Sequence, residues 1–274
     1  MRALKYALAA SLLVAAPAAV AQQQLSIATG GTGGTYYPYG GGLAELIKEH
    51  IDGYDAVAEV TGASVENMGL VWRGDSDMAL ALADTVYQAI TAPATSRAAS
   101  SRTSGLGFRL SQRRADRDHG RFRHRVPGGS RGKIVSVGAP GSGTELNARA
   151  VLESNGISYD DFEARRLNFN ETADAIRDGD IDAGFWSVGP PTSSIMNLAT
   201  TRDIRLIGLS DEEVANAREE VPVFAPYELR ADLYEGMEEP VQTIGIPNIL
   251  ATNARWMRSW PIRSPRLCSS TPIS

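Results

Sequence analysis

Two stretches share one grammar, and it restricts the fold more than any other feature of the chain. An apolar segment (Leu25, Ile27, Ala28) runs into Gly30-Gly31-Thr32-Gly33-Gly34-Thr35 and then into a helically spaced run, Leu43, Leu46 and Ile47. A second, Ile134 to Val137, runs into Gly138-Ala139-Pro140-Gly141-Ser142-Gly143-Thr144 and a helix expected over 145–155. Strand, glycine-rich turn and helix bring backbone N–H groups to the positive end of a helix dipole, which suits an anion. Tyr36, Tyr37 and Tyr39 add aromatic walls with hydroxyl tips. The first loop therefore reads as a cradle for the carboxylate of a small molecule. Thr32 and Thr35 on one unit and Ser142 and Thr144 on the other would face each other across a cleft as a polar clamp. The plainer alternative is a tight turn with a capped helix at each place.

The rest of the chain keeps to the same alternation. Strands are expected over Ala56 to Val60, Met78 to Leu82, Phe162 to Asn168, Ile181 to Trp186 and Ile204 to Leu209, and a long one over Val241 to Ala251 that Pro247 interrupts. Helices are expected from Leu43 to Ile51, from Val65, from Asp84 to Ile90, from Glu171 to Arg177, from Thr192 to Ala199 and over 211–220. Strands alternating with helices imply an α/β sheet covered by helices.

The N-terminus carries Arg2 and Lys5, an apolar core from Ala7 to Ala16, and Ala19-Val20-Ala21 as a small-x-small cleavage site. Residues 1–21 read as a secretory signal peptide, too short in its apolar part to span a bilayer, with the mature protein starting near Gln22. That places the protein in the periplasm. The single cysteine, Cys268, excludes an intrachain disulfide, and three histidines leave little for zinc or Ser-His chemistry.

Charge is unevenly spread. Of 27 basic and 32 acidic residues, ten arginines and two aspartates fall within 97–131, and four arginines with no acid within 255–274. The remainder holds 13 basic against 30 acidic residues, an acidic body unsuited to nucleic acid or an anionic membrane. Residues 92–131 also lack apolar periodicity and show no clear strand. One reading is a disordered basic insertion. The other follows from the genetic code. Back-translated and read one nucleotide later, Asp116 to Ser130 can give IVTTADSGIESLEDL, a strand, a turn and an acidic amphipathic helix. Read two nucleotides later, 255–274 can give VDEELAYQITKALFEHTDQ, another acidic amphipathic helix. Both anomalous segments, 92–131 and 255–274, thus read as frameshifted and poorly ordered, with a natural insertion as the alternative.

Several chemistries are excluded by spacing. The first loop departs from G-x-G-x-x-G at Tyr36 and Pro38, and the second places Thr144 where a P-loop needs lysine. Ser142 lies in Pro-Gly-Ser-Gly, not G-x-S-x-G. With neither a nucleophile–base pair nor a metal cluster, the chain reads as a non-enzyme with no cofactor. Asn67 either contacts ligand or bonds the turn before it, Asp84 caps a helix, and Tyr87 is a cleft candidate. Trp186 lines the cleft or packs in the core.

Leu25 to Gly42 (LSIATGGTGGTYYPYGGG), Thr61 to Met68 (TGASVENM), Val135 to Glu145 (VSVGAPGSGTE), Asp180 to Pro191 and Pro240 to Asn253 (PVQTIGIPNILATN) closely resemble the TAXI family, the extracytoplasmic substrate-binding proteins of TRAP transporters. The resemblance covers about 25–91 and 132–254. It implies a two-lobed periplasmic-binding-protein fold, type II-like, with the cleft between lobes: lobe 1 over 22–131, lobe 2 over 132–240, and a return to lobe 1 over 241–274. It implies a small carboxylate ligand (a glutamate-like amino acid or 2-oxoacid), a TRAP permease as membrane partner, and a monomer with no metal. Carried over by motif, the ligand contacts are Gly33, Thr35, Tyr36, Asn67, Ser142, Gly143, Thr144 and Trp186. A secreted ligand-sensing or surface-interaction protein on the same scaffold is the alternative. Against the family pattern, 97–131 replaces the first crossing between lobes, and 255–274 replaces a helix that should close lobe 1.

Overall fold

A computed structural model of the chain describes residues 22–91, 110–119 and 128–253, and for 110–119 the description is of the backbone. The expected signal peptide and the segment 255–274 lie outside the described residues. Ten strands form one mixed sheet along the order β2-β1-β3-β10-β4-β7-β5-β6, with β8 joined to β4 and β9 to β10.

The first half is built from β1 (Gln23–Ala28), β2 (Tyr54–Glu59) and β3 (Met78–Leu82), all parallel, with helices α1 (Tyr36–His50), α2 (Ser64–Arg73) and α3 (Ala83–Thr91) between and after them. β3 is apolar at every position and buried at every position, as a strand covered on both faces must be. Leu25, Ile27, Ala44, Ile47 and Met78 form the core between α1 and this sheet.

The second half holds β5 (Ile134–Ser136), β6 (Glu163–Arg165) and β7 (Ala183–Val188), parallel to one another, and α4 (Gly143–Glu153), α5 (Phe169–Asp178) and α6 (Ser193–Ala199). β8 (Ile204–Ile207), α7 (Asp211–Glu220) and β9 (Ala225–Leu229) complete it. Its core joins Val135, Val137, Leu152, Phe185, Phe224 and Ile244, and a second cluster surrounds Trp186, Ile195, Leu206 and Leu229.

Two antiparallel strands bind the halves. β10 (Val241–Thr252) pairs with β9 over Val241–Gly245 and with β3 over Asn248–Thr252. Beside its middle lies β4 (Leu110–His119), which then continues along β7 and β8. Each crossing strand belongs to both halves, so any relative motion of the halves must bend these two.

Three expectations need correction. The segment 92–131 was expected to hold no strand, yet 110–119 is a central one, paired on both edges. Pro247 does not interrupt β10; its register partner there is Ser111 of β4. The first helix starts at Tyr36, seven residues before the expected Leu43, and runs through Gly40-Gly41-Gly42. Gly40 is there for packing: a Cβ on it would collide with the Thr29 methyl and meet Ala58 Cβ at 3.4 Å. The strand β9 was not anticipated at all.

Candidate functional site

Between the halves lies a cleft of about 520 Å³, its open mouth included. Its wall draws Gly30, Gly31, Gly34, Thr35 and Tyr36 from the first glycine loop and Ala139, Ser142, Gly143 and Thr144 from the second. Thr61 to Ser64, Leu82, Asn168, Phe169 and Ser187 close it. The two glycine loops therefore do face each other across one space.

Four helices begin at this wall: α1, α2, α4 and α5. Each start carries positive partial charge from its leading N–H groups. Two are capped by their own side chains. Ser142 Oγ accepts from the Glu145 N–H at 3.2 Å, and Asn168 Oδ1 accepts from Asn170 and Glu171, both at 3.0 Å, in a full capping box. Thr35, at the start of α1, makes no side-chain cap; its Oγ1 instead accepts from the Gly189 N–H at 3.3 Å, from the other half. Among the described lining residues none carries a formal charge, and what they bring to the cleft is helix ends and hydroxyl groups.

Tyr36 is the buried aromatic of the site. Its hydroxyl donates to Asn248 Oδ1 on β10 at 2.5 Å, tying the first loop to a crossing strand. Burial pushes the phenol well above its ordinary pKa; a Ser64 hydrogen bond opposes this and the nearby Asp84 charge adds to it. Tyr36 thus stays a neutral hydrogen-bond donor at any physiological pH.

Of the residues expected to touch ligand, Thr35, Tyr36, Ser142, Gly143 and Thr144 line the cleft, and three do not. Asn67 is fully buried behind the wall: its amide donates to Thr29 O and Leu80 O, both at 2.7 Å, and to Ala28 O at 3.3 Å. Its Oδ1 accepts from Thr61 Oγ1 at 2.6 Å, so it braces the turn that forms the wall. Trp186 is also fully buried; its indole N–H donates to Ser194 Oγ at 3.3 Å and its ring stacks on Phe169 at 6.4 Å between centroids. It supports the wall through Phe169. Gly33 faces Asn170, whose side chain occupies the space a Cβ would take, and its carbonyl accepts from Thr192 Oγ1 at 3.1 Å. Tyr87 lies exposed on α3, away from the cleft, and Asp84 sits buried in the first turn of that helix.

Asn168, Phe169, Ser187 and Leu82 line the cleft without having been anticipated. Only Asn168 carried a local signal, the Asn-x-x-Glu of its capping box. The others reach the wall by tertiary placement, which no short-range pattern encodes.

Residues 27–101 and 129–258 match the NMT1-like family, three quarters of the chain. The chain belongs to the NMT1-like family. Solved structures with the same fold are two-lobed periplasmic binding proteins. The alkanesulfonate-binding protein SsuA of Xanthomonas axonopodis pv. citri, bound to MOPS, is 15% identical at a TM-score of 0.53, over 86% of this chain and 68% of its own. A putative L-cystine ABC transporter protein of Listeria monocytogenes is 12% identical at 0.52, over 85% and 83%. A TRAP periplasmic solute-binding protein of a Sulfitobacter species with bound β-D-galacturonate is 13% identical at 0.50, over 89% and 75%. At these identities the likeness establishes the two-lobed fold alone. Among the described residues no helix is long and apolar enough to cross a membrane, and no cluster of three or more His, Cys, Asp or Glu could hold a metal ion.

Proposed function

We propose that this NMT1-like protein is the extracytoplasmic receptor of a TRAP-type transporter, of the TAXI kind, which closes on a small carboxylate and delivers it to a membrane permease. One observation carries the reading: the starts of α1, α4 and α5 meet at a cleft whose described lining residues include no charged side chain. A buried site of that kind favours a single small anion held by N–H groups and hydroxyls, without the desolvation cost of a buried cation. The ligand class is a glutamate-like amino acid or 2-oxoacid, and Thr35, Tyr36, Ser142, Gly143 and Thr144 are its contacts. Two structural neighbours with bound organic acids, MOPS and β-D-galacturonate, are consistent with it. Lobe 1 would span 22–131 with a return over 241–274, lobe 2 would span 132–240, and a cleaved 1–21 leader would deliver a monomer to the periplasm. Catalysis forms no part of the proposal.

Calorimetric titration against a carboxylate panel tests this directly. Micromolar or tighter binding of a carboxylate, lost on Thr144→Val, is expected; binding only of neutral sugars would overturn it.

We also propose that 92–131 and 255–274 are read out of frame. β4 supplies the physical support. Over Arg113 to Asp118 it pairs with β7, where Gly184 to Val188 are all buried, and its other edge pairs with β10 and β8. A strand in that position calls for apolar or β-branched residues. The chain offers Arg113, Arg114, Asp116, Arg117 and Asp118, whereas permissive codons for Asp116 to His119 read one nucleotide later can give Ile-Val-Thr-Thr. Resequencing the gene tests the proposal: a shift on each side of the segment is expected, and an intact frame with these codons would refute it.

A further inference from the structure

Helix α2 begins without the usual means of satisfying its first N–H groups. Its N-cap residue is Ala63, which has no side-chain acceptor and holds φ 78°, ψ −146°, a backbone region that favours glycine. The missing acceptor comes from the other lobe. The Val65 and Glu66 N–H groups both donate to the carbonyl of Gly141, each at 3.1 Å. Gly141 lies in the second glycine loop, at φ 72°, which turns its neighbourhood toward α2.

The surfaces around this contact are shaped for backbone to meet backbone. A Cβ on Gly62 would stand 2.7 Å from Glu66 Oε2 within its own lobe and 2.8 Å from the Pro140 carbonyl oxygen across the cleft. A Cβ on Gly143 would stand 2.6 Å from Leu82 Cδ1 and 2.8 Å from Ser64 Oγ. All of these distances are shorter than real Cβ contacts allow, and neither glycine has a φ in the left-handed region. Each is therefore needed for approach between lobes, not for its own conformation. Elsewhere between the lobes Thr192 Oγ1 donates to Gly33 O at 3.1 Å, beside the Gly189 N–H bond to Thr35 Oγ1.

We infer that the Gly141 carbonyl is a helix cap for α2 that exists only when the lobes are shut, so that closure is held by a direct latch beside the ligand. The inference rests on the reading of the two halves as lobes that open and close. Three consequences follow. The start of α2 is occupied by protein and takes no part in holding the ligand, unlike the start of α1. Opening leaves two N–H groups of α2 to water, so these two amides lose their exchange protection while the rest of the helix persists. Closure without ligand has a finite population, set by the latch and independent of which ligand binds.

Amide hydrogen exchange read at single residues tests the latch on the full chain, without any ligand. In the unaltered protein the Val65 and Glu66 amides should be protected. Gly143→Ala places a Cβ against Leu82 Cδ1 and Ser64 Oγ of the other lobe in the shut form alone, so these two amides should exchange about tenfold faster or more, a 1.4 kcal/mol change per factor of ten. Amides of Met68 to Val71, farther along α2, should keep their protection, and X-ray scattering should show a larger radius of gyration. Pro140→Ala, which keeps the carbonyl, should behave as the parent. Unchanged exchange at Val65 and Glu66 in Gly143→Ala overturns the latch. If Gly143→Ala loses protection along all of α2, Gly62→Ala decides at the Val65 amide, because its Cβ meets the Pro140 carbonyl from the other side of the same approach. A latch that behaves as described while no carboxylate binds would leave this inference standing and remove the proposed ligand class instead.

Discussion

Asn67 is where a ligand contact and a structural brace make opposite forecasts. Asn67→Ala removes two amide bonds at 2.7 Å, one at 3.3 Å, and the acceptor of the Thr61 hydroxyl. These bonds join the end of β1 and the middle of β3, both buried, to the half-buried turn over 61–64. A net value of about 1 kcal/mol for each good bond, with the extra cost of a buried acceptor left unmet, gives a loss of about 3 kcal/mol. Against a total of roughly 5–15 kcal/mol this is a large fraction, and for a chain of this size it lowers Tm by about 6–12 °C. Thermal unfolding followed by circular dichroism measures the shift. Titration well below the new Tm then measures affinity in the folded population, which should stay within about threefold of the parent. A Tm within about 2 °C of the parent together with a tenfold loss of affinity would refute the brace and restore Asn67 to the ligand.

Trp186→Ala should cost about 3–5 kcal/mol, as for a fully buried large aromatic, while Trp186→Phe keeps an aromatic ring on Phe169 and should cost less, losing the Ser194 bond and part of the ring volume; urea midpoints of the two variants measure the difference. Asp161 is held below the usual carboxylate range chiefly by the Ser158 N–H bond, with Arg131 helping. A depressed folded pKa means stability present above the unfolded value and lost as pH falls through the folded one. Asp161→Asn should therefore unfold at lower urea than the parent at pH 7, and the two should converge below about pH 4; an unchanged gap at pH 3 would contradict this. The chain restored to the alternative frame over 92–131 and 255–274 should melt higher than the chain as given, and equal melting would show that those segments are dispensable.

Much of the fold is legible in local pattern because local pattern suffices for it. Met78-Ala79-Leu80-Ala81-Leu82 is apolar without a break, and such a run belongs at the centre of a covered sheet, where β3 lies. Asn168-x-x-Glu171 and Ser210-x-x-Glu213 announce the starts of α5 and α7 by their capping boxes. Where the reading failed, tertiary contact had overruled local preference. Gly40 to Gly42 look like a break in a helix, yet α1 runs through them because Gly40 must pass close to Thr29. β9 is an edge strand with one buried position, too little apolar content for any alternation to show. β4 sits at the centre of the sheet with a charged sequence that no periodicity rule would assign to a strand.

The site divides in the same way. The glycine loops reveal two of its walls, since strand, turn and helix follow one another along the chain. Phe169 and Ser187 come from elements that reach the cleft only after the sheet has formed. Asn67 and Trp186 are chemically plausible ligand contacts, and burial alone separates support from contact for both.

The central claim is that this cleft holds a small organic carboxylate through helix ends and hydroxyl groups. Native mass spectrometry of the protein as purified from its host periplasm, followed by release and identification of the bound molecule, measures this most directly. A single small carboxylate at a one-to-one ratio, absent from Thr144→Val, is the predicted result. A neutral or cationic ligand at that ratio would contradict the account.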